Sequence, residues 1–165
     1  MSSNSHYWRL VPLLIVANAI QTTWLSDIRL GHGSLNLVFG VALCAAMLGG
    51  PTIAFWVGIG AGYLNGLSAM WHPGSFLVAG LVPCLIVGFL AARFETSHLL
   101  SPVLVAFFGV IVGNLCFVLL SPADFPLQFW ISHTMYQSVL QVALSWPLFW
   151  LVRRVISPPK RLIWA

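Results

Sequence analysis

Residues 49–74 read GGPTIAFWVGIGAGYLNGLSAMWHPG. A turn opens this stretch at Gly49-Gly50-Pro51 and another closes it at His72-Pro73-Gly74, and the residues between them carry no charge. About 20 mostly apolar residues are what a helix needs to cross a lipid bilayer, and Pro51 to Met70 meets that length. Backbone N–H and C=O groups in lipid must be satisfied inside the segment, so helix is the physical answer. The run lacks the two-residue alternation of a barrel strand. Five neighbouring runs read the same way, at about 8–25, 35–49, 75–92, 99–120 and 129–152. The predicted fold class is therefore an all-α integral membrane protein, a compact bundle of about six transmembrane helices. It forms one membrane domain over residues 1–165, with a basic tail over 153–165. The second run is short and its turn tight, which points to a tilted or partly re-entrant arm in that pair.

Composition closes off the alternatives. Hydrophobic residues make up 59% of the 165-residue chain and charged residues only 6%, where a soluble domain carries about 25%. Mean hydropathy is +0.94. Ten charged side chains cannot cover a water-facing surface, which excludes a soluble enzyme, a disordered tail and a disulfide scaffold. Cys44, Cys84 and Cys116 each lie inside an apolar run. Their odd number and depth fit small packing residues rather than a disulfide framework or a metal site. Arg9 before an apolar stretch and the Ala17-Asn18-Ala19 triplet imitate a signal peptide. A single positive charge ahead of the run favours a retained helix.

The net charge of +4 reports topology rather than nucleic-acid binding. With six spans, one side collects Arg9, Arg93, Arg153, Arg154, Lys160 and Arg161, and the other holds only Arg29. Short loops rich in Lys and Arg stay cytoplasmic, so both termini are expected in the cytoplasm.

Several constellations stand out. Gly58, Gly62 and Gly66 recur every four residues, extended one turn by Ala54, and Gly109 and Gly113 repeat the spacing. Such faces allow close helix approach, either within the chain or against another membrane protein. His133, Gln137 and Gln141 lie one turn apart on the last helix. With Asn65 and Asn114 they suggest a polar interior, and Asn18, Gln21 and Asn36 are further polar residues in or near spans. Interhelical hydrogen bonding is the plainer reading and a ligand-lined pore the sharper one. Asp27, Glu95 and Asp124 all fall at helix ends or in loops, so no carboxylate sits at mid-membrane, where ion-coupled transporters place one. Ser34 in Gly31-His32-Gly33-Ser34 lacks a rhomboid-type pattern, and no two Asp face each other within spans. His6, His32, His72, His98 and His133 are dispersed, which argues against a metal or haem site. No enzyme activity and no cofactor are expected. Trp8, Trp24, Trp71, Trp130, Trp146, Trp150 and Trp164 fall near helix ends as an interfacial belt. Pro83 and Pro147 are expected to kink their helices.

The stretch from Gly58 through Gly62 to Gly66, with Gly74 opening the next helix, resembles the central motif of the bacterial rod shape-determining protein MreD family. That motif has two glycines four residues apart, an aspartate four further, and a glycine opening the following helix. The Gly49-Gly50-Pro51 turn and the ending Trp146-Pro147-Leu-Phe-Trp-Leu-Val-Arg153-Arg154 are similar to the family as well. The resemblance covers about Leu35 onward. Gly66 stands where the family has its aspartate, with Asn65 beside it, and Leu35-Asn36 stands where the family has Pro-Asp. The resemblance implies a scaffold subunit of the cell-elongation and peptidoglycan-synthesis machinery in the bacterial inner membrane. It implies an MreC-like single-span partner and, through it, the actin-like protein MreB and cell-wall synthases. The glycine faces would clamp partner helices. MreD-like bundles also resemble the S-components of energy-coupling-factor vitamin transporters. That alternative would dock a coupling subunit through small residues such as Ala42 and Ala46 and line a vitamin pocket with Asn65, Asn114, His133 and Gln137. The brief outer loops favour the MreD-like reading. A third possibility is an accessory subunit of another membrane complex.

Overall fold

The computed structural model describes residues 7–25, 29–31, 33–70, 72–93, 100–121 and 126–156. Asp27, Glu95, Asp124, His6, His32, His98, Trp71, Trp164, Lys160 and Arg161 lie outside the described residues. The elements in order are α1 (Leu10–Thr23), β1 (Arg29–Leu30), β2 (Gly33–Ser34), α2 (Leu37–Ala69), α3 (Pro73–Ala91), α4 (Ser101–Leu120) and α5 (Leu127–Ile156). β1 and β2 form a small antiparallel ribbon, with Arg29 opposite Ser34 and Leu30 opposite Gly33.

Helix α2 is two arms, not one rod. Gly50 sits at φ 72° and ψ −170° inside it, a conformation that only glycine adopts without strain. Gln21 of α1 shows how far the chain turns there. Its Oε1 accepts from the Val38 backbone N–H at 3.1 Å, and its Nε2 donates to Asn65 Oδ1 at 3.2 Å. In a straight helix Val38 and Asn65 would be about 40 Å apart at 1.5 Å per residue, far beyond one glutamine. The arms, 37–49 and 51–69, therefore fold back on each other.

The first arm forms the core. Every residue from Val38 to Met47 is buried, and a helix that is apolar on all sides belongs at the centre of a bundle. Around it stand the second arm, α1 through Leu10, Leu14 and Ala17, α3 through Cys84 and Val87, α4 through Val110, and α5 through Leu148 and Val152. The outer helices leave large apolar side chains uncovered, among them Val11, Ile15, Phe89, Leu104, Phe108, Leu119 and Trp150. A water-facing surface does not tolerate so extensive an apolar exterior, whereas lipid does.

Four helices are long and apolar enough to cross a membrane: α2, α3, α4 and α5. The expected count of about six is not confirmed by length. At 14 residues, α1 reaches about 21 Å, short of a hydrocarbon core of about 30 Å, and α2 counts once although Gly50 divides it into two arms. α3 and α5 continue as helix through Pro83 and Pro147, and the non-helical backbone lies at Gly50.

Candidate functional site

The glycine rows are spent inside the chain. A Cβ added at Gly62 would lie 2.7 Å from Leu77 Cα and 2.7 Å from Phe76 O, and one at Gly58 would lie 2.9 Å from Leu81 Cα. Gly66 meets Pro73 Cα at 3.1 Å by the same construction. α3 answers with glycines of its own: a Cβ at Gly80 would come 2.8 Å from Gly58 O and from Gly62 Cα, and one at Gly88 would meet Ala54 Cβ at 2.6 Å. The second arm and α3 thus pack backbone to backbone as an antiparallel pair. On α4, Gly109 receives Leu43 and Gly113 receives Phe39 and the Ala79 carbonyl. Of the two readings of these five glycines, the geometry is that of packing within the chain, because each is covered by another part of it, which leaves no face there for a partner helix. Ala42 and Ala46 are fully buried, so they offer no docking face either. Gly74 has open space around it, and nothing in the structure explains the glycine there.

The positions where the sequence departs from the MreD-like pattern have structural counterparts. Glycine at 66 is what lets the first turn of α3 approach. Asn36 caps α2, its Oδ1 accepting from the Phe39 N–H at 2.9 Å, a role aspartate fills equally well.

The polar residues divide into two groups. At the ribbon end of the bundle, Ser34, Asn36, Asn65, Asn114, His133 and Gln137 line a cavity of about 270 Å³ together with Phe39, Phe76, Ala79, Gly80, Val110, Gly113 and Phe117. Six segments of the chain build its wall. β2 is seated by close contact, since a Cβ at Gly33 would fall 2.6 Å from the Gln137 backbone N. Asn114 Nδ2 donates to Gln137 Oε1 at 2.7 Å, tying α4 to α5. Trp130 Nε1 donates to the Asn114 carbonyl at 3.4 Å, and Phe76 and Phe117 pack with ring centroids 4.7 Å apart. No Asp, Glu, Lys or Arg is among the lining residues.

Gln141 does not belong to this cavity. It is buried one turn further along α5, its amide against Gly40, and its Oε1 has no hydrogen-bond partner. The buried face of α5 runs through Thr134, Gln137, Ser138, Gln141, Ser145, Leu148 and Val152. Ser138 Oγ donates to the Thr134 carbonyl at 2.8 Å and Ser145 Oγ to the Val142 carbonyl at 2.7 Å. Sequence reasoning missed this small polar stripe, although Thr134, Ser138 and Ser145 carry its helical spacing in plain view. Asn18 belongs to a separate contact, accepting from Ser68 Oγ at 3.0 Å.

The described cations, Arg29 of β1 apart, gather at the opposite end. Arg9 precedes α1, Arg93 follows α3, and Arg153 and Arg154 lie in the last turn of α5. The guanidinium of Arg154 lies 5.2 Å from the Trp150 ring and that of Arg9 lies 6.0 Å from the Trp8 ring, the pairing that suits an interfacial belt. Among the described residues, no group of three or more His, Cys, Asp or Glu is placed to hold a metal ion. No family model, curated protein or solved structure matches the chain.

Proposed function

We propose that this chain is an MreD-like scaffold subunit of the bacterial cell-elongation machinery, in the inner membrane with both termini cytoplasmic. The observation that carries the reading is geometric. Gly58 and Gly62, two of the glycines on which the resemblance rests, are positions where a side chain would collide with the backbone of α3. The motif glycines thus serve close helix packing in this chain, which is what supports the reading. The chain crosses the bilayer six times in this reading, the folded-back arms of α2 providing two of the crossings. The basic end then faces the cytoplasm and the ribbon end faces outward. The mechanism is binding rather than catalysis. An MreC-like single-span partner packs on helix faces left to lipid, since the glycine rows are occupied, and MreB and the cell-wall synthases join through that partner.

The test is purification of the tagged protein from its own membranes in mild detergent, with mass spectrometry of the proteins recovered alongside it. A single-span protein with an outer coiled coil, recovered together with cell-wall synthases, is the expected result. The second reading, an S-component of a vitamin transporter, is favoured by one observation, the polar cavity at the outward end. Recovery of two ATPases and a membrane coupling subunit would replace the first reading with the second.

A further inference from the structure

We propose that the cavity at the ribbon end is a binding site for an uncharged, ring-bearing small molecule that presents a carboxamide or an equivalent paired donor and acceptor. The argument begins with hydrogen-bonding capacity left over in the wall. Asn65 is 8% exposed and Gln137 is 7% exposed. Each has its carbonyl oxygen occupied, Asn65 Oδ1 by Gln21 and Gln137 Oε1 by Asn114. An amide side chain also carries two N–H donors. The N–H donors of Asn65 and Gln137 and the Oδ1 of Asn114 are not the atoms used in those bonds, and none of them is among the buried atoms left without a partner. All three residues line the same cavity, so a ligand that displaces water from it must replace the hydrogen bonds of these amides or leave them unpaired at a cost.

The character of the rest of the wall narrows the ligand. A carboxylate, phosphate or ammonium would lose its hydration against walls that hold no Asp, Glu, Lys or Arg, which costs far more than burying a neutral amide. Phe39, Phe76 and Phe117 supply aromatic faces and edges suited to a flat ring. A lipid chain is a poor occupant, since it would leave the amides unsatisfied. The cavity of about 270 Å³ equals about nine waters at their liquid volume, room for a substituted single ring. The proposal stands on the cavity itself and holds whichever assembly the chain joins. Binding reports on the cavity and co-purification on the assembly, so the two can fail separately.

The test uses the full-length protein in detergent, with benzamide as the probe and saturation-transfer NMR as the readout. Benzoate tests the charge argument and cyclohexanecarboxamide the aromatic one. Gln137→Leu removes an amide from the cavity wall. Ser34→Trp plugs the cavity from the exposed ribbon and serves as the second variant where Gln137→Leu melts early. Detergent background is common to all samples and cancels. The expected result is saturable binding of benzamide, weakened at least tenfold by either folded variant. Benzoate should bind at least tenfold more weakly, and cyclohexanecarboxamide severalfold more weakly. Absence of saturable binding to the wild type, equal binding by both variants, or benzoate binding as well as benzamide would overturn the proposal and leave a cavity that holds only water.

Discussion

Replacing Gly62 with alanine tests the packing argument at its tightest point. The added methyl would sit 2.7 Å from Leu77 Cα, 2.7 Å from Phe76 O and 2.9 Å from Leu77 O. All three are backbone atoms, so no side chain can rotate out of the way. Restoring an ordinary contact of about 3.5 Å requires α3 to retreat by about 0.8 Å. That retreat would also open the contacts of Gly80 and Gly88 along the same pair of helices. Overpacking of this kind costs about 1–3 kcal/mol, while exchanging glycine for alanine in a helix returns about 1 kcal/mol. Gly60 supplies the control. It lies on the same arm, and a Cβ there meets only Leu14 Cδ1, at 3.6 Å. Gly60→Ala therefore gains the propensity without the collision, and the difference between the two variants isolates the steric cost at about 1–3 kcal/mol. Thermal unfolding in detergent, monitored by tryptophan fluorescence, reads that difference as about 2–4 °C per kcal/mol for a chain of this size. Equal melting temperatures for the two variants, or a higher one for Gly62→Ala, would refute the claim that backbone contact holds the second arm to α3.

Other contacts give further expected outcomes. Gln21→Leu strips partners from both the Val38 N–H and Asn65 Oδ1 and is expected to cost about 1–3 kcal/mol in equilibrium unfolding; an unchanged midpoint would mean that the two Gln21 bonds do not hold α1 in place. Gln141→Leu removes a buried carbonyl oxygen that has no partner, so its unfolding free energy should stay level or rise by about 1 kcal/mol, and a clear loss would contradict the absence of a partner. For topology, single cysteines placed at Met70 and Arg93 in a background lacking Cys44, Cys84 and Cys116 should differ in access: an impermeant thiol reagent added outside intact cells should modify the first and not the second, and the opposite pattern would invert the proposed orientation.

The class of protein was legible from local sequence. Charge scarcity and six apolar runs needed no knowledge of which helix meets which. The tight turn at Gly50 was legible for a similar reason, because glycine takes a positive φ without strain and the proline that follows restricts the residue before it. The site was legible in part. Asn65, Asn114, His133 and Gln137 were singled out from their place in apolar runs, and the fold brings all four to one cavity. Gln141 shares the helical face of Gln137 yet is excluded, because the wall ends where Gly40 of the first arm closes against it. Ser34, Asn36 and the three phenylalanines join the lining from segments far apart in the chain. A residue's own neighbours in sequence say nothing about that.

The glycine rows draw the same line more sharply. Spacing of four determined that Gly58, Gly62 and Gly66 share one face, since helical periodicity is a local property of the backbone. What occupies that face is a question of which surface arrives opposite it. Tight packing within the chain and a clamp for a partner use the same small residues, so spacing alone supports both. The tertiary structure decided between them by bringing α3 against the face with matching glycines of its own. Membrane class, the hairpin at Gly50 and helical register were thus properties of the sequence itself, carried by interactions within a few residues. The cavity, the buried central arm and the use of the glycines were tertiary outcomes, because each depends on distances between segments that chain connectivity leaves open.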